Sequence, residues 1–247
     1  MSIDWDPQTG GRVTPANGTA SGSDGARVHR LPLREVRSRR NGGRSALALE
    51  PAGPEPATGV DQARIERAVR EILVAIGEDP DREGLVDTPS RVARAYREIF
   101  AGLREDVGTH LARQFEQDQV GDDVVILRDI DFVSVCEHHL MPFTGRAHVA
   151  YLPAHGKVTG LSKLARTVDV FARRPQLQER LTAQVADALV EHLDPRGVAV
   201  LVEAEHSCLK LRGARKTGAE MVTTALRGAF LEDRELRAEV LGLLGRR

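Results

Sequence analysis

The chain has 247 residues, 29% charged and 41% hydrophobic, with a formal net charge of -1. That profile belongs to a soluble protein long enough to bury a core, and its balanced charge argues against a general nucleic-acid binder. No apolar run approaches the roughly 18 residues that span a bilayer, and two cysteines, Cys136 and Cys208, are too few for a disulfide framework.

Residues 1–58 hold eight of the 23 glycines and six of the 12 prolines, with Trp5 as the only aromatic. Such a stretch cannot bury enough apolar surface to offset chain entropy, so a disordered tail is expected. Its basic segment RLPLREVRSRRNGGR reads as a docking arm or, with acids interspersed, as a solvated tail. The start, MSIDWDPQTGG, is acidic and lacks the apolar stretch of a secretory signal. Together with the sparse cysteines, this leads us to expect a reducing, cytoplasmic setting.

Ordered pattern begins near Asp61. Ile65, Ala68, Val69, Ile72 and Leu73 recur at helical spacing, and Gly77 is a plausible stop. A second helix follows a cap at Asp87 or Thr88 with proline in its first turn, and its apolar stripe includes Val92, Ala95, Ile99 and Phe100. The period then changes. DDVVILRDIDFVSV is rich in β-branched residues, and GRAHVAYLP alternates through Ala147, Val149 and Tyr151, so both predict strands. Helical spacing returns from Ser162 to about Arg174, and again in LQERLTAQVADALVEHL after Pro175. GVAVLVEAEH and EMVTTALRGAF predict two more strands, and LEDRELRAEVLGLL a closing helix. Helices set between strand pairs imply an α+β fold with an antiparallel sheet. There is no dinucleotide-binding glycine fingerprint and no phosphate-binding P-loop.

The chemistry is concentrated in Cys136-Glu137-His138-His139, directly after a predicted strand. A thiolate and an imidazole three positions apart suit a tetrahedral zinc ion. Cys208 follows another strand, with His206 two residues earlier. Two buried, inert cysteines are the plain alternative, weakened here because each lies beside histidine. Cys136, His139 and Cys208 make three ligands and leave a position for water, whereas His138 or His206 as a fourth would close the site as a structural one. Left unligated, those two histidines suit general acid or base work.

A second cluster comprises Ser162, Lys163 and Arg166, the last two on one helix face. Basic groups at a helix start suit phosphate, though a solvated charged face has the same composition. KLRGARK, with Arg212, brings more positive charge close after Cys208. Glu179 sits between Leu177 and Leu181, where a carboxylate suits the N–H groups of guanine or a surface ion pair.

Taken together, DVVILRDIDFVSVCEHH, GLSKLAR, RRPQLQERLT and HSCLKLRGARK resemble the GTP cyclohydrolase I family, in order and spacing, from about residue 61 to about 245. The resemblance implies a catalytic domain over 59–247, with N-terminal helices about 61–103 and a T-fold about 121–247. That fold is a four-stranded antiparallel sheet with helices packed on one face. The implied reaction hydrolyses GTP to 7,8-dihydroneopterin triphosphate and formate, at the start of pterin and tetrahydrofolate synthesis. Cys136, His139 and Cys208 match the zinc ligands, His138 and His206 the catalytic histidines, and Ser162 a proton relay to the ribose. Ser162, Lys163, Arg166 and Arg212 match triphosphate-binding positions, as does Arg91, supplied by a neighbouring subunit. Gln178 and Glu179 match the guanine-recognition segment. The resemblance also implies a homodecamer of two pentamers, with no membrane or nucleic-acid partner. Nitrile reductases of queuosine synthesis are related but lack this pairing of C-E-H-H with H-S-C.

Overall fold

The computed structural model describes residues 59–116, 123–154 and 156–245. The tail expected over 1–58 lies outside these residues, apart from its boundary.

Helix α1 (Gln62–Ala75) starts where the Asp61 carboxylate accepts the Arg64 N–H at 2.9 Å, and it stops at Gly77, whose φ of +87° lies in the left-handed region. Helix α2 (Thr88–Ile99) carries Pro89 in its first turn, where a missing N–H costs nothing. Asp87 holds the cap position, but its carboxylate pairs with Arg91 at 3.0 Å instead of capping the helix. The two helices pack on each other. Only part of each expected stripe is covered: Leu73 is buried and Val92 and Phe100 are half-buried, whereas Ala68, Ile72, Ala95 and Ile99 are exposed, and the buried residue of α2 is Ala93, outside the expected stripe.

A short helix α3 (Val107–Leu111) leads into β1 (Gln114–Glu116), which pairs with β4 (Lys157–Thr159). The main sheet follows the expected order. Strands β2 (Val125–Cys136) and β3 (Pro142–Leu152) form a hairpin. Helix α4 (Leu161–Ala172) and helix α5 (Gln178–Leu193) come next, then β6 (Gly197–His206) and β7 (Met221–Gly228). The sheet order is β5-β2-β3-β6-β7, antiparallel throughout except for β5 (Pro175–Gln176), which joins β2 in parallel. The four long strands match the T-fold expectation. The two-residue β5 is an addition, because Pro175 reads as a helix interruption rather than as a strand.

Alternation along the strands separates two faces. Phe143, Ala147, Val149 and Tyr151 of β3 join Val198, Val200 and Val202 of β6 against α4 and α5. The other face carries Ala150, Leu152, Ala199 and Leu201, covered by Phe230 of the short helix α7 (Ala229–Glu232) and by Val240 and Leu244 of α8 (Arg234–Leu244). Helices are therefore not confined to one face, since the closing helix covers one end of the second.

Strand β2 changes face partway. Val125 and Leu127 point toward the α4/α5 core, and so do Ile130, Phe132 and Cys136. The switch from odd to even numbers occurs where Leu127 pairs with Val149 and Ile130 with Ala147, so two residues oppose His148 alone. Asp129 takes φ +56° in this bulge and donates its N–H to His148 Nδ1 at 3.2 Å. One extra residue exchanges the faces of everything beyond it. The bulge thus brings Cys136 to the helix side. Asp129→Val should destabilise the protein by about 1–2 kcal/mol, because a β-branched residue resists the left-handed region, while Asp129→Gly should cost little. Urea unfolding midpoints of the two variants check this.

Candidate metal centre

Cys136 is the last residue of β2, and the chain turns sharply after it. The turn closes through the Leu140 N–H donated to the Cys136 carbonyl at 2.8 Å and the Cys136 N–H donated to Met141 at 2.9 Å. Leu140 adopts φ +52°, which brings His139 back over the strand end. From outside, the turn is held by β5 and α5. The Glu137 N–H donates to the Gln176 carbonyl at 3.0 Å, and Arg180 grips the Glu137 carboxylate with both guanidinium nitrogens, at 2.5 and 3.1 Å. Arg180 holds the Glu137 carboxyl below the usual carboxylate range.

Cys208 arrives from the end of β6, on the single-turn helix α6 (Ser207–Lys210). One ligand atom each from Cys136, His139 and Cys208 lie within 4.8 Å of one another, and the two sulfurs are 3.9 Å apart. Both cysteines are free thiols, and burial together with the neighbouring Cys136 pushes the Cys208 thiol up. Two facing thiols resist ionisation unless a cation lies between them. Two sulfurs and an imidazole are a soft to borderline donor set, unlike the oxygen cages of magnesium or calcium. The residues therefore fit a metal of the zinc type.

His206 ends β6, opposite Phe143 of β3. Its ring stacks on the Phe143 ring at 4.5 Å between centroids and 5° between planes, and its Nε2 lies 2.9 Å from Gln178 Oε1. Burial pushes the imidazole pKa down, while the Glu179 carboxylate opposes that shift. His138 is exposed beside His139, with the two rings edge to face at 6.2 Å.

The other expected site residues divide into groups. Glu179 is exposed in the first turn of α5, close enough to act on His206. Arg212 is exposed just after α6 and its charge reaches Cys208. Ser162, Lys163 and Arg166 occupy the first turns of α4, which begins at Gly160 without a side-chain cap. Arg91 is on α2, paired with Asp87. The groups come from three separate elements: α2 packs chiefly on α1, α4 on β2, α3 and α5, and α6 on β3 and β6. The Gln178 side chain is buried, at 1% exposure, and its amide is taken up by Val202, Met221 and His206. Phe143 and Arg180 were not anticipated. No sequence signal marks Phe143, whose position follows from strand pairing. Arg180 stands beside Glu179, in the segment read for guanine.

The Glu137–Arg180 pair is exposed and contributes little to global stability. Its effect should appear at the metal. Arg180→Glu is expected to weaken zinc retention about tenfold, as loss of a group orienting a ligand does. Adding Glu137→Arg should restore it. Competition with a chelator measures both.

Comparison with known proteins agrees with this geometry. The family model described as GTP cyclohydrolase I matches residues 65–245. "GTP cyclohydrolase 1" of Rhodopirellula baltica is 61% identical over 191 residues, covering 77% of this chain and 82% of that protein. "GTP cyclohydrolase 1" of Thermobifida fusca is 61% identical over 198 residues, covering 79% and 94%. Among solved structures, an apo archaeosine synthase QueF-Like aligns with a TM-score of 0.37 and 22% identity, over 44% of this chain and 96% of that one. On the family match and these identities, the chain belongs to the GTP cyclohydrolase I family of enzymes.

Proposed function

We propose that the protein is a zinc-dependent hydrolase that opens the guanine imidazole ring of GTP, yielding 7,8-dihydroneopterin triphosphate and formate as the first step of pterin and tetrahydrofolate synthesis. The observation that carries this reading is the convergence of Cys136, His139 and Cys208 within 4.8 Å, with His206 at the adjoining strand end. The family match supplies GTP as substrate. An open position on the metal, rather than a fully protein-ligated one, is supported by the engagement of His206 with Gln178 and Phe143.

Cys136, His139 and Cys208 would hold a zinc ion, which would supply Lewis acidity and make water acidic there. The chain's own residues do the rest. Ser162, Lys163 and Arg166 at the start of α4, together with Arg212, take the triphosphate, helped by the positive end of the helix dipole. Arg91 adds to that pocket from a neighbouring subunit. Glu179 accepts the guanine N–H groups. His206 gives a proton to guanine N7, His138 moves protons nearby, and Ser162 relays one to the ribose ring oxygen. Uniform grip on the triphosphate orients the base and leaves the chemical step to the histidines and the metal.

A homodecamer of two pentamers in the cytoplasm completes the reading. Self-association is supported by the apolar surface that the described residues leave uncovered on the N-terminal helices, with Ile72 59% and Ile76 68% exposed. Among the described residues, no helix is long and apolar enough to cross a membrane.

The test is incubation of the full-length protein with GTP, with zinc, formate and pterin fluorescence measured on the same sample. Stoichiometric zinc with matched formate and pterin is expected. Turnover that persists after complete removal of zinc would reject the metal's part, and absence of formate would reject the reaction.

A further inference from the structure

We infer that Gln178 is a positioning residue that fixes the tautomer of His206 with the proton on Nε2, so that Nδ1 is the nitrogen left to exchange protons. The inference rests on the reading of His206 as the acid that protonates the base: the neutral ring first takes up a proton at Nδ1, its lone-pair nitrogen, and then passes it on. It moves Gln178 from guanine recognition to the support of a catalytic group.

The amide of Gln178 can be oriented in only one way. Its nitrogen lies 3.0 Å from the Val202 carbonyl and 2.8 Å from the Met221 carbonyl, and both of these can only accept. A third neighbour, Thr223 Oγ1 at 3.2 Å, leads to the same answer through proton counting. Thr182 donates its single hydroxyl proton to the Gln178 carbonyl at 2.7 Å. The 2.7 Å contact between Thr182 and Thr223 must therefore be donated by Thr223. Thr223 then has no proton left and accepts from Gln178. The two carbonyls take the two N–H bonds of the NH₂ group, Thr223 accepts a share of one of them, and Oε1 is left directed at His206 Nε2, 2.9 Å away. An amide oxygen only accepts, so Nε2 carries the proton and the lone pair of the neutral ring is on Nδ1.

Burial makes the arrangement rigid. Gln178 is 1% exposed, and turning its amide over would set its oxygen against two carbonyls in a dry site. The flat stack on Phe143 fixes the plane of the imidazole, and Gln178 fixes its rotation within that plane. Neither contact touches the triphosphate or the metal ligands. The expected consequence of losing Gln178 is slower chemistry with unchanged substrate binding.

The test uses the zinc-loaded, full-length protein labelled with ¹⁵N-histidine, with the His206 signals identified by their loss in His206→Asn. At a pH where the ring is neutral, the wild-type spectrum should show Nε2–H and unprotonated Nδ1. The opposite tautomer overturns the inference, and this wild-type result decides it even if no Gln178 variant folds. In Gln178→Leu the tautomer signals should mix and kcat should fall about 10²-fold, at the low end of acid–base contributions, with KM for GTP within about twofold of wild type. Unaltered His206 signals, or a raised KM at unchanged kcat, would restore Gln178 to guanine binding and overturn the inference. Wild-type protein that shows the Nε2–H tautomer but releases no formate from GTP would remove the proposed reaction while supporting the hold of Gln178 on His206.

Discussion

Cys208→Ala is expected to abolish GTP turnover and to leave a protein purified with little or no zinc. The side chain supplies one of only two sulfurs in the donor group, 3.9 Å from the other. Changes to groups that merely orient a ligand already cost about 10–100-fold in metal affinity, so removal of a ligand should cost more than about a hundredfold. The fold should survive. Cys208 is only partly buried, at the edge of the core, and the four long strands are paired without it. The checks are zinc content after dialysis against a chelator, formate release from GTP, and an unfolding curve. A Cys208→Ala protein that keeps stoichiometric zinc and full turnover would dissolve the site as described.

His206→Ala should leave zinc in place and lower kcat by about 10²–10⁴-fold, the range expected for loss of a positioned acid. KM for GTP should change little, because the residues proposed for the triphosphate are on other elements. The substitution also has a stability cost of a different origin. It strands Gln178 Oε1 in a buried site and removes the ring stacked on Phe143. An unsatisfied buried acceptor costs about 1–3 kcal/mol. Steady-state kinetics and urea unfolding separate the two effects: the first is read in kcat on folded protein, the second in the unfolding midpoint. Full-rate ring opening by His206→Ala would remove the assigned acid.

Much of this site is visible in the linear chain. Cys136 and His139 are neighbours in one turn, so their spacing alone brings them together. Cys208 is distant in sequence, yet it follows a valine-rich strand just as Cys136 does. The basic start of α4 and Arg212 are equally legible as charge. Less legible is what those charges do, because they belong to elements far apart in the chain, whose meeting local spacing does not specify. Gln178 is the instructive case. A polar residue beside Glu179 at a helix start reads as part of a ligand-facing pair. Consecutive helical residues point about 100° apart, however, so one faces out while its neighbour faces the sheet.

The sequence by itself determined the donor types, the turn that joins two of them, and the alternation of helices with strand pairs, since local spacing and side-chain period decide those. Only the tertiary structure decided which face of the sheet receives Cys136. Side chains alternate with a period of two, and the extra residue at Asp129 exchanges the faces of β2 before the cysteine is reached. It also decided that β5 would clamp the ligand turn and that Phe143 would lie under His206. Those outcomes depend on hydrogen bonds between strands far apart along the chain, and no local pattern of residues specifies where such partners meet.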